Sequence, residues 1–275
     1  MNKQDIVQKI AQLEDFFRHR QKVLLAFSGG VDSTLLAIIA ARILPENFLA
    51  VTVDHPCLPQ HELASAKSLA EKFAIPHKVL YLDQWKIAGF QENPAERCYL
   101  CKMAMLAVLQ QEADNSGLTC LMDGSNADDL NDIRPGAKAL AEFAVESPLQ
   151  SMNWSKNDIR QASRTLGLPT ADQPSYACLA SRIPQDSPIT AEKLRQIEEM
   201  EMLLHQLGFV ECRARHHGDI VRLEIYNSSF DKIIAPDIRA MLAQRADELG
   251  FRWLTLDLLP YRSGQSKKVT AEEKK

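Results

Sequence analysis

Short apolar runs alternate with stretches of helical period through the first half of the chain. Val23–Phe27, Leu49–Val53, Lys78–Leu82 and Cys120–Asp123 read as strands, with helices at Val31–Ile43, Gln60–Phe73 and Tyr99–Ala113 between them. This order predicts a parallel α/β sheet with helices on both faces. A helix-like SKNDIRQASRTLGL then leads into a segment rich in Pro, Ser and Gln, Leu168–Pro188, which reads as a domain junction. Beyond it come an amphipathic helix at Thr190–Leu207, the strand-like runs VECRAR and IVRLEI, a helix at Pro236–Leu249 and a last strand, FRWLTLDL. That series predicts a small α+β layer with helices on one face. The expected organisation is an α/β domain over 1–170, a smaller α+β domain over 171–265 and a polar, disordered tail over 266–275.

Composition narrows the function classes. With 275 residues, 45% of them hydrophobic, the chain can bury one substantial core or two modest ones. The longest apolar run, around Thr34–Ala41, is too short for a membrane span, and MNKQDIVQKI lacks the apolar centre of a signal peptide, so a cytoplasmic protein is expected. A net charge of -4 argues against a large nucleic-acid footprint and favours a small substrate. Six cysteines without an export signal are expected to be reduced thiols.

The stretch Leu24–Ala37, LLAFSGGVDSTLLA, leaves a strand through Ser28, Gly29, Gly30, Val31, Asp32 and Ser33 and opens a helix at once. Two glycines let the backbone approach a ligand, and the helix dipole favours an anion there. Ser28 and Ser33 add hydroxyls, and Asp32 can hold Mg²⁺ against phosphates. A plain strand-to-helix turn, with Asp32 as a cap, is the simpler alternative. SGGVDS is more specific than a generic glycine loop and resembles the PP-loop of the ATP pyrophosphatases. That resemblance implies ATP, cleavage between its α and β phosphates, and a second strand, with Val53, running under the adenosine.

Cys98 and Cys101, in ERCYLCKMA, stand three apart at a helix start, where the dipole favours thiolates. Cys178, in SYACLASR, lies in the junction. Three thiols can ligate an iron–sulfur cluster and leave one iron open, whereas a closed zinc site wants four. A redox CxxC and simple packing remain alternatives. Core packing is expected for Cys120 and Cys212, and Cys57 has no assignment.

SGGVDS together with DGSNADDLNDIRPG, CLASRIP, CRARHHGDIVRLEI and LDLLPYRSG resembles the LarE family of sulfur transferases over Val23–Gly264. The resemblance implies that ATP and Mg²⁺ adenylate a carboxylate of pyridinium-3,5-biscarboxylic acid mononucleotide, which sulfur then converts to a thiocarboxylate. It also implies a homo-oligomer, with hexamers known in the family, and a sulfide-donating partner protein. Some members sacrifice one cysteine, at the position of Cys178. Others carry a [4Fe-4S] cluster on three, and this chain has all three, Cys98, Cys101 and Cys178.

Arg213 and Arg215 alternate along a strand and so share a face, a pair suited to phosphate or carboxylates. By resemblance they contact phosphate, and Ser181, Arg182, Glu201 and Asp231 fall at functional positions. Asp128, Asp132 and Arg134 gather after the fourth strand, at the edge where such sheets bind ligands. Of His216 and His217 one can line a cavity, and His55 and His61 are expected at the surface. Two rivals stand beside this reading: a tRNA thiolation enzyme of the 2-thiocytidine type, which would need a basic surface, and a non-catalytic nucleotide-binding iron–sulfur sensor.

Overall fold

The computed structural model describes residues 3–131, 135–174 and 178–261. They divide into two compact units, one drawn from Met1–Cys178 and Gln185–Thr190, the other from Leu179–Pro184 and Ala191–Lys275. The expected tail lies outside the described residues.

In the first unit, helix α1 (Lys3–Arg18) precedes β1 (Val23–Ala26), α2 (Val31–Ile43), β2 (Phe48–Asp54), α3 (Gln60–Lys72) and β3 (His77–Tyr81). There follow α4 (Arg97–Asn115), β4 (Cys120–Met122), α5 (Pro135–Glu142), the single turn α6 (Pro148–Ser151) and α7 (Lys156–Thr165). The sheet is parallel throughout, in the order β3-β2-β1-β4.

The alternation of side chains along a strand explains the two helical layers. Val23, Leu25 and Phe27 point to one side, into a core shared with Leu35, Leu36 and Ile39 of α2 and Leu69 of α3. Leu24 points to the other, with Val51, Val53 and Leu121, against Leu106 and Leu109 of α4. The pattern reading placed no helix before Val23. Yet Ile6, Ile10, Leu13 and Phe17 recur at helical spacing and are buried on α1 in the first of these layers.

Strand order matters for the site. The chain winds outward from β1 to β2 and β3, then returns to pair β4 on the other side of β1. The loops after β1 and β4 therefore flank the topological switch point, the crevice where open α/β sheets bind ligands.

In the second unit α8 (Ala191–Gln206) leads to β5 (Cys212–His217), β6 (Ile220–Ile225), the turn α9 (Phe230–Ile233), α10 (Pro236–Glu248) and β7 (Trp253–Leu256). β5 and β6 form an antiparallel hairpin and β7 runs parallel to β6. Cys212, Ala214, Val221, Leu223 and Ile225 pack against Met200 and Leu204 of α8 and Leu242 and Ala246 of α10. The ladder begins at Cys212, two residues later than VECRAR suggests, because its pairing opens with Cys212 opposite Ile225. Among the described residues no helix is long and apolar enough to cross a membrane.

Candidate active site

The loop after β1 is built from its own hydroxyls. The Ser28 amide donates to Ser33 Oγ at 3.2 Å, the two hydroxyl oxygens lie 3.0 Å apart, and the Gly30 amide donates to Ser28 Oγ at 3.2 Å. Gly29 sits at φ +73°, and a Cβ there would come within 3.0 Å of the Ala66 backbone on α3. Glycine is thus required twice, by conformation and by space. Gly30 is the N-cap of α2 and no side chain caps that helix, so its first amides face outward as an anion site. Ser33 and Val31 are buried. The Val53 side chain is buried in the α4 layer.

The loop after β4 closes on the same corner. A Cβ on Gly124 would meet the Ser33 amide nitrogen at 3.1 Å. Asn126 donates from Nδ2 to Asp32 Oδ1 at 3.3 Å, and Lys156 at the start of α7 places Nζ 2.5 Å from Asp32 Oδ2. The Asp128 carboxylate accepts the Lys156 amide at 2.8 Å. Asp32, the residue suited to Mg²⁺, therefore already sits beside a cation, and Asp128 fixes that cation's backbone. Lys156 escapes a motif reading because it stands 124 residues from its partner. Asp132 and Arg134 lie outside the described residues.

The cysteines form a second cluster in this unit. Cys57 is fully buried beside Cys178, while Cys101 lies close enough to feel the charges of Cys178 and Cys98. Gln84, fully buried in a short 3-10 turn, ties the group together. Its Oε1 accepts the Cys57 amide at 3.1 Å and its Nε2 donates to Cys101 Sγ at 3.0 Å. Burial, and then the neighbouring Cys178, push the Cys101 thiol up to about 11, against the Gln84 hydrogen bond and the Arg97 charge. The contact with Cys178, then burial, raises Cys57 far higher. Cys98 is exposed, with Arg97 3.5 Å from its sulfur. His55 is buried rather than at the surface: it joins Gln84, and burial holds its ring down to about 4, so it is neutral. The signal for Cys57 was its place just past β2, at the carboxyl edge of the sheet. Gln84 carried none.

The second unit gathers the remaining positions. Arg182 and Glu201 form a buried, two-pronged ion pair with both N···O distances at 2.9 Å, and Arg182 also reaches Ser181 Oγ at 3.1 Å. Glu201 Oε1 accepts the Ala214 amide at 2.9 Å. Burial alone would raise the Glu201 carboxyl; the Arg182 charge and hydrogen bonds, the Ala214 amide and Arg213 hold it below the ordinary range. Arg213 and Arg215 do share a face of β5. Arg213 is buried, bonding the Cys212 carbonyl at 2.7 Å and lying 4.9 Å from the Tyr261 ring centroid. Arg215 reaches the Ser181 carbonyl at 2.8 Å and Glu224 at 3.0 Å. His216 faces the helices and meets Gln196 at 3.1 Å, with His217 exposed, and Asp231 is exposed on α9.

The chain is similar to known proteins over most of its length. A family model described as NAD synthase matches residues 4–135, the PP-loop part of the first unit. A pyridinium-3,5-bisthiocarboxylic acid mononucleotide synthase of Lactiplantibacillus plantarum is 32% identical over 93% of this chain and 91% of its own. The chain belongs to the LarE family. An uncharacterized protein of Synechocystis sp. is 36% identical over 95% of this chain and 97% of its own length. One component of a glutamine-hydrolyzing GMP synthase of Thermoplasma volcanium shares 28% over 60% of this chain and 58% of its own. LarE similarity thus extends through the second unit, including the Arg182 network.

Proposed function

We propose that this protein is an ATP-dependent sulfur transferase acting on pyridinium-3,5-biscarboxylic acid mononucleotide. One observation carries the reading: SGGVDS wraps the uncapped N-terminus of α2 at the switch point of the sheet, in a chain similar to a synthase of the bisthiocarboxylic acid mononucleotide over nearly its whole length. In this reading the Ser28–Ser33 loop would cradle the β and γ phosphates, Asp32 would hold Mg²⁺, and Lys156 would be a second cation at the phosphates. A substrate carboxylate oxygen attacks the α phosphorus, and pyrophosphate leaves with the bonding electrons. The acyl adenylate then exposes its carbon to sulfur, and AMP departs as the thiocarboxylate forms. Arg213, Arg215 and Ser181 are the groups we assign to the substrate's anionic ends, with Glu201 and Arg182 fixing their strand and turn.

Cys98, Cys101 and Cys178 fit a [4Fe-4S] cluster by donor chemistry. Thiolates are its ordinary ligands, and Arg97 offsets their negative charge. Among the described residues no three Cys, His, Asp or Glu converge on a point to grip a single metal ion. A cluster presents its irons at separate corners and asks for thiols spread around it. When bound it supplies a soft sulfide kept on the protein at high effective concentration. The same reading includes a homo-oligomer, a hexamer by resemblance, and a sulfide-donating protein.

The test is turnover with ATP, Mg²⁺ and the biscarboxylic acid mononucleotide under anaerobic conditions. AMP, pyrophosphate and a thiocarboxylate product are expected. Pyrophosphate release that ignores the carboxylate would overturn the substrate. About four irons per chain with matching labile sulfide, lost in Cys98→Ala, Cys101→Ala and Cys178→Ala, are expected of the cluster. No iron after reconstitution would refute it.

A further inference from the structure

Thr52 is a buried hydroxyl in the apolar run of β2. Valine has the same shape and would fill the position without desolvating a hydroxyl, so packing alone gives no reason for threonine. The Thr52 hydroxyl donates to the Phe27 carbonyl at 2.7 Å and lies 2.8 Å from His77 Nε2 on β3. A carbonyl only accepts, and a hydroxyl has a single proton. Thr52 gives that proton to Phe27, so His77 is the donor in the second contact and carries a proton on Nε2. The hydrogen bonds therefore run one way, from His77 through Thr52 to the Phe27 carbonyl. The His77 ring also stands edge-on to the Phe27 ring, with centroids 5.4 Å apart, and the Phe27 amide donates to the Val51 carbonyl at 2.8 Å. Amide, carbonyl and ring of Phe27 are all fixed, one residue before Ser28.

We propose that His77 and Thr52 are positioning residues for the phosphate loop, a relay that sets the plane of the Phe27–Ser28 peptide. The Phe27 carbonyl and the Ser28 amide belong to one planar unit, so a bond at one end aims the other. That amide donates to Ser33 Oγ at 3.2 Å, Ser33 Oγ lies 3.0 Å from Ser28 Oγ, and Ser28 Oγ accepts the amide of Gly30, the N-cap of α2. A tilt at Phe27 is thus passed through the hydroxyl pair to the helix end that offers its amides to an anion. His77 and Thr52 act through the backbone of the loop, from the two strands next to β1 in the sheet. The purpose of the relay rests on the ATP reading of the loop; the relay itself does not.

The experiment compares three substitutions in the full chain. Thr52→Val keeps the shape and removes the hydroxyl, Thr52→Ser keeps the hydroxyl, and His77→Phe keeps a ring against Phe27 while removing the donor from a half-buried position. Mg–ATP binding is measured by calorimetry, amide hydrogen exchange at Ser28 and Gly30 by NMR without nucleotide, and stability by urea unfolding. Thr52→Val and His77→Phe should each weaken Mg–ATP binding by about three- to tenfold, the scale of one hydrogen bond, and Thr52→Ser should restore it. The double variant Thr52→Val/His77→Phe should bind no more weakly than Thr52→Val, since His77 acts through the hydroxyl. The Ser28 and Gly30 amides should exchange faster in Thr52→Val and His77→Phe. A lowered urea midpoint with unchanged affinity and unchanged exchange would overturn the proposal, as would additive losses in the double variant. Failure of the unsubstituted protein to bind Mg–ATP would instead overturn the ATP reading, and the exchange rates would still decide whether the relay holds the loop.

Discussion

Two charged regions of this molecule are built in opposite ways. The loop after β1 keeps its internal hydrogen bonds among Ser28, Gly30 and Ser33 and turns the open end of α2 outward, uncapped. The β5 region does the reverse. Arg182 is matched by Glu201, Arg215 by Glu224, and Arg213 lies against a carbonyl and a ring, so the cations are held by the protein itself. The first turns open helix amides outward; the second is a scaffold that spends its charge on shape. A desolvated ion pair adds little net stability but costs a great deal when half of it is removed.

That contrast predicts where damage should fall. The largest effect on stability is expected from Arg182→Met, which strands the buried Glu201 carboxylate and should cost about 3–5 kcal/mol in urea unfolding. The pH dependence follows from the sign of the Glu201 shift. Its folded value lies below the ordinary 4.5 of the unfolded chain, so its contribution is complete above that value and fades as pH falls through the lower folded one. Arg182→Met should flatten this acid limb.

Gly29→Ala attacks the other region. It should cost at least about 1–2 kcal/mol, the strain of a left-handed non-glycine residue, with the 3.0 Å approach to the Ala66 backbone adding to it. It should also lower pyrophosphate release by about a hundredfold or more, because the preorganised anion donors shift. Full activity in this variant would break the comparison. Lys156→Met should weaken Mg–ATP binding by about tenfold, the scale of one charge-assisted contact, measured by calorimetry with and without Mg²⁺. Smallest of all, Arg195→Ala, which cuts solvent-exposed pairs to Glu192 and Glu199, should leave the unfolding midpoint where it is.

Local pattern carried the sheet. All four strands and the helices between them were legible because β1 and β2 are apolar on both faces and the intervening helices are long, 13, 13 and 19 residues. Helix α1 was equally legible in Ile6, Ile10, Leu13 and Phe17 but lacked a motif to draw notice. The site divides along the same line. Gly29, Gly30 and Asp32 are contiguous, so the chemistry is visible in six letters. Gln84 and Lys156 act through partners 17 and 124 residues away, and nothing local distinguishes a bonding glutamine or lysine from a solvated one. Burial of His55 escaped for the same reason, since Gln84 approaches it from a separate turn.

The path of the backbone between the two units has a practical meaning. Residues Leu179–Pro184 belong with the second unit and Gln185–Thr190 with the first, where Asp186 and Ile189 donate to the carbonyls of Asn93 and Gln91 at 3.0 and 2.8 Å. The chain therefore changes allegiance three times within a dozen residues, like thread through cloth. No single cut yields two whole pieces: one made after Cys178 robs the first of its closing stitch, and one made after Thr190 takes Arg182 from Glu201. Of halves expressed separately at least one would lack its segment of 179–190, and grafting either onto another protein as a cassette would have to carry that segment with it.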